Sequence, residues 1–137
     1  MNFTAYLSKY YALTILAICV IAALVVPYPA EEVPEWKLLV IDENYLPGGG
    51  RTVIQKVENP FFGHSAEYTA STDKNGFVTF SKRYMWAGAS RRLLAVGASA
   101  LGWDTATSVS IKAESPACAG SVQWRSGASL PDKLVCP

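Results

Sequence analysis

The chain has 137 residues, half of them hydrophobic and 17% charged, with a formal net charge of +1. Residues 31–137 carry all 11 acidic residues and all but one of the 12 Lys and Arg, so that stretch is neutral as a unit. Neutrality argues against a nucleic-acid binder, which needs surplus positive charge, and the composition excludes collagen-like, coiled-coil and disordered classes.

Residues 1–9 end in Lys9 and precede 17 uncharged residues, 10–26. As a helix that run would be about 26 Å long, the short end of the membrane-spanning range. Tyr10, Tyr11 and Tyr28 flank it, as amphipathic rings do at the headgroup level. Lys9 before the run and Glu31, Glu32 and Glu35 after it predict a cytoplasmic N-terminus and a domain on the far side. The expectation is a single-pass protein of the inner (cytoplasmic) membrane with its C-terminal domain in the periplasm or outside the cell. A cleaved signal fits less well, because bulky Tyr28 would stand where a small residue belongs before a cut after Ala30. A lipoprotein reading around Cys19 puts Ile18 where a small residue is required.

Residues 27–35 hold three prolines and three glutamates and read as a short semi-rigid linker. An exported domain is then expected over 36–137. Its first strand is 36–41, apolar on both faces; a loop with Gly48, Gly49 and Gly50 leads to a second strand, 51–57. Ala66, Tyr68, Ala70 and Thr72 alternate with Glu67, Thr69 and Ser71, the period of a half-buried strand. Asp73-Lys74-Asn75-Gly76 then predicts a tight hairpin into 77–81. Residues 87–101 carry both a strand-like alternation and an Ala-rich, helix-like composition, with a lean towards a short helix. Thr107, Val109, Ile111 and Ala113 share one face of a later strand, and 121–125 and 133–136 are two more. Many short strands with frequent turns predict an all-β domain, an antiparallel β-sandwich behind one N-terminal transmembrane helix. Cys118 and Cys136 are the cysteines of the exported part and are expected to pair, closing a loop that stabilises by about 3 kcal/mol.

Two segments resemble the carboxypeptidase regulatory-like domain, a prealbumin (transthyretin-like) sandwich. Val40, Asp42, Pro47, Gly50 and Val53 stand at the offsets of that family's first two strands. Thr72, Asp73, Gly76, Val78 and Phe80 match its central Thr-Asp-x-x-Gly hairpin. Tyr45 stands where the family has a turn glycine, and residues 82–103 replace its Gly-x-Tyr strand. The longer tail, with Ala89-Ser90-Arg91-Arg92, looks like that of exported bacterial proteins carrying the same domain. The resemblance implies a structural or interaction module without catalytic residues.

His64 is the single histidine, so a hydrolase of the Ser-His-Asp or Cys-His kind must be built on it. No Gly-x-Ser-x-Gly accompanies it, and in a strand Glu67 would face the other way. Asp73-Lys74-Asn75-Gly76 lacks the flanking acidic ligands of a calcium loop, and 48–50 lacks the Gly-Lys-Ser/Thr ending of a phosphate loop. No cofactor or metal is therefore expected. Lys82, Arg83, Arg91 and Arg92, interleaved with Tyr84 and Trp86, form the one basic cluster and the first choice for a surface that meets a protein or an anionic envelope partner. The function expected is binding or scaffolding at the membrane, with a neutralising partner of a toxin as a narrower version and a hydrolase relying on His64 as the alternative.

Overall fold

The computed structural model describes residues 3–114, 118 and 120–136, with side chains from Tyr10 onward. Helix α1, Phe3–Val25, starts a full turn and more ahead of the uncharged run. From residue 10 to its end every side chain is exposed. Over the described residues, no helix is long and apolar enough to cross a membrane.

Residues 27–35 are not a free linker. Strand β1, Tyr28–Val33, pairs antiparallel with β6, Arg83–Ala87, as a two-stranded ribbon. The prolines did not prevent pairing, because a two-stranded ribbon leaves one side of each strand without a ladder, and Pro29 needs no donor there. Val33 at the end of β1 is fully buried and belongs to the core. Only Val26 and Pro27 therefore separate α1 from paired structure.

The rest of the chain is mostly β. Strand β2, Trp36–Ile41, lies between β5, Phe77–Phe80, and β9, Lys133–Val135. A four-stranded sheet follows the order β4 (His64–Ser71), β3 (Thr52–Asn59), β7 (Ser108–Ala113), β8 (Ser121–Arg125). Trp36, Leu38, Val40, Val78, Phe80 and Leu134 of the first sheet share one buried cluster with Val53, Val57, Val109, Ile111 and Trp124 of the second. Each such side chain contributes about 1.5–3 kcal/mol relative to exposure. Alternation along the strands sorts the rest: in β7 Val109, Ile111 and Ala113 are buried while Ser108 and Lys112 are exposed.

Two expectations about connectivity need correction. The pairing is not antiparallel throughout, because β9 runs parallel to β2, with Leu39 opposite Lys133 and Ile41 opposite Val135. The chain leaves β8 in the four-stranded sheet and crosses to the other sheet, and the crossing aligns it with β2; the Trp36 indole donates to the Pro131 carbonyl at 2.7 Å on the way. Nor is 64–80 a hairpin. Strand β4 pairs with β3 and β5 pairs with β2, so the turn at 73–76 passes from one sheet to the other. Alternation marks which face of a strand is buried but not which strand lies beside it.

Residues 89–100 form helix α2, Ala89–Ala100, no residue of which is buried. Cys118 and Cys136 are joined in a disulfide with their Cα atoms 4.4 Å apart, and both are buried.

Candidate functional site

Ten residues carry the resemblance; four lie in the core, and six build the loops beyond the end of β2. Val40, Val53, Val78 and Phe80 are core. Asp42 and Asp73 build two loops of the same design. The Asp42 carboxylate accepts the amides of Asn44 (2.9 Å) and Leu46 (2.8 Å), and that of Asp73 accepts Asn75 (2.8 Å) and Phe77 (2.9 Å). In each loop the fourth residue has positive φ: 61° at Tyr45 and 79° at Gly76. The pattern Asp-x-Asn-x-apolar is thus used twice, at 42–46 and 73–77, which a search for long repeats does not find. The loops touch, since the Gly76 carbonyl accepts the Val40 amide and a Cβ on Gly76 would lie 2.9 Å from the Val40 oxygen. Thr72 fastens them, its hydroxyl accepting the Arg51 amide and donating to the Gly48 carbonyl. Pro47 bridges to Ile41, and Gly50 turns with φ 72°. These carboxylates are occupied by backbone amides, and among the described residues no group of three His, Cys, Asp or Glu could hold a metal.

The basic cluster divides. Arg92 reaches under α2 and donates to the carbonyls of Ala87, Tyr28 and Met85, with its guanidinium over the Tyr28 ring at 4.7 Å. Arg83 stacks on Tyr68 at 3.7 Å. Both therefore hold the β1–β6 ribbon to its neighbours. Lys82, Tyr84 and Trp86 are exposed, with the Lys82 ammonium over the Tyr84 ring. Hydrogen bonding to Tyr84, with added attraction from Tyr84 and Glu31, raises the Lys82 pKa above its ordinary value. Arg91 is exposed beside the Phe62 ring. Trp36 and Trp124 are buried edge-to-face partners, whereas Trp103 is 68% exposed.

His64 opens β4 opposite Asn59, and its partner is a residue from the presumed linker. The imidazole Nε2 lies 3.8 Å from Oε2 of Glu32, whose side chain is 2% exposed. Thr107 donates its hydroxyl to Oε1 of Glu32 and accepts from the Asn59 amide. This is not the order of a nucleophile, base and orienting acid, because the hydroxyl is spent on the carboxylate rather than on the histidine. Chain position could not reveal this pairing, because Glu32 reaches His64 only once β1 is docked.

A second feature escaped sequence reading. The end of α1 and one face of α2 enclose an open apolar groove of about 820 Å³, lined by Leu24, Phe61, Leu93, Leu94, Leu101 and Trp103. Leu93, Leu94, Gly97 and Leu101 recur at helical spacing, a signal diluted by the competing alternation of the same stretch. The Ser90 hydroxyl donates to the Leu24 carbonyl at 2.9 Å and fastens α2 to the last turn of α1. Gly102, at φ 85°, ends α2 with a Schellman turn in which the Trp103 amide donates to the Ala98 carbonyl, so Trp103 folds back beside the helix. No protein-family model matches the chain, and no curated protein matches it.

Proposed function

We propose that this is a membrane-anchored, non-enzymatic protein whose β domain, a sandwich of the prealbumin type, serves binding or scaffolding on the far side of the inner membrane. The observation that carries the reading is α1: from residue 10 to 25 its side chains are uncharged and exposed around the whole circumference. A helix apolar all round is a core or membrane element, since water would leave that surface uncovered. The domain already has its own closed core and has no place for it. The uncharged run is shorter than the hydrocarbon layer, and the first turns of α1 supply the remaining depth: Phe3–Val25 is about 34 Å long with Lys9 as its one charged residue. The disulfide fits an oxidising compartment.

The exposed face of the β1–β6 ribbon, with Lys82, Tyr84 and Trp86, is the surface this reading assigns to a partner. The test is extraction and topology. The chain should stay in the membrane pellet at alkaline pH, and a reporter fused after Pro137 should be active only if it works outside the cytoplasm. Release by alkali, or a reporter active in the cytoplasm, would refute the reading. For the hydrolase alternative, the Glu32–His64 pair is the favourable observation, and His64→Ala with unchanged phenotype discards it.

A further inference from the structure

We infer that α2 is a second membrane contact: it lies in the headgroup layer of an anionic bilayer, with Leu93, Leu94, Leu101 and Trp103 in the acyl boundary. The inference rests on the reading of α1 as the anchor.

Four observations carry it. Helix α2 has 12 residues and buries none of them in its own domain. An isolated helix of that length is marginal in water, so packing against something is what holds it. Its depth is set, because Ser90 is bonded to the Leu24 carbonyl and the backbone at Gly88 abuts Leu24 and Val25. When α1 crosses the bilayer, its last turn ends at the acyl boundary, and α2 is held at that level. The apolar surface is also continuous, since Leu24 of α1 lines the same groove as the leucines of α2. Finally, residues 89–103, which span α2 and its end, contain two arginines and no acidic residue. A helix with basic and no acidic residues suits anionic headgroups. Exposed Arg91 is placed to meet them, and Trp103 suits the wet-to-apolar boundary. An amphipathic helix with these features lies flat in the interface. The domain would then be held at two points and presented in one orientation.

The experiment uses the full chain in vesicles of phosphatidylcholine and phosphatidylglycerol. Flotation with the vesicles reads α1 alone. In a Trp86→Phe background, Trp103 is the one strongly exposed tryptophan, because Trp36 and Trp124 are buried. Its emission should be quenched by lipids brominated near the headgroup and protected from acrylamide, and the lipid quenching should vanish on adding Trp103→Phe. The pair Leu94→Asp and Leu101→Asp should abolish the lipid quenching while flotation and the Cys118–Cys136 bond persist, the bond reporting that the domain still folds. Flotation with Trp103 open to acrylamide would overturn the inference and leave the anchor standing. Protection from acrylamide without lipid quenching would assign the groove to a protein, a second copy included, and overturn it as well. Failure to float would remove the anchor reading and this one together.

Discussion

Tyr45 occupies a left-handed backbone position that its twin loop gives to Gly76. A side chain there costs about 1–2 kcal/mol in local sterics, and this one is 77% exposed, so it gains little burial in return. Glycine relieves the strain but adds freedom to the unfolded chain. The net expectation for Tyr45→Gly is a gain of about 0.5–1 kcal/mol, seen as a melting temperature a few degrees higher. The reciprocal change, Gly76→Ala, should lose about 1–3 kcal/mol, because it adds the φ penalty to a Cβ placed 2.9 Å from the Val40 oxygen and 3.0 Å from the Gly48 amide. Opposite signs at two equivalent positions would establish the loops as twins; equal signs would deny it. Gln55 makes a second residue-scale test. It points into the core, fully buried, and neither its amide nitrogen nor its oxygen has a partner. Leaving such groups dry costs about 1–3 kcal/mol, so Gln55→Leu should raise the urea midpoint. A lower midpoint would mean that the amide is satisfied by something that leucine cannot replace.

At the scale of elements, what could be read from the sequence depended on how local the signal was. Strands β4 and β7 declare themselves by alternation, β2 by a short run apolar on both faces, and the loop at 73–76 by a glycine three residues after an aspartate. Partners are not marked in this way: β4 pairs with β3 and β5 pairs with β2, so a turn that looks like a hairpin passes between sheets. Strand β1 was hidden by its prolines, and with it Glu32, which is why His64 looked solitary. Of the basic cluster, sequence could identify the residues but not their roles. Arg92 is the case in point, since three backbone carbonyls from β1 and β6 and their margins converge on one guanidinium. Lysine has neither the reach in three directions nor the flat face for Tyr28. Arg92→Lys should therefore speed amide exchange through 89–101 and through β1 by about tenfold, while β3 and β7 exchange as before. Uniform exchange across the chain would show that Arg92 does not join the ribbon to α2.

For the molecule as a whole, the disulfide and β9 together hold the C-terminus. Cys118 lies just before β8 and Cys136 just after β9. On the chain-entropy estimate, closing a loop of this length is worth about 3 kcal/mol. The double change Cys118→Ser and Cys136→Ser should lower the melting temperature by several degrees without altering α1, and limited proteolysis should then cut first between 126 and 136. Unchanged proteolysis would show that β9 stays docked without the bond.

The parallel pairing of β2 with β9 joins strands that lie far apart in the chain, Leu39 opposite Lys133. Until residue 133 has been synthesised, one edge of β2 has no ladder, the Trp36 indole lacks the Pro131 carbonyl, and Leu134 is missing from the cluster that Trp36, Leu38 and Val40 share. The domain is consequently a late folder, dominated by long-range pairings of the kind that slow collapse to a unique state. The strand that closes the open edge of β2 is thus also the one that completes its core, so docking of β9 and consolidation of the domain are a single event.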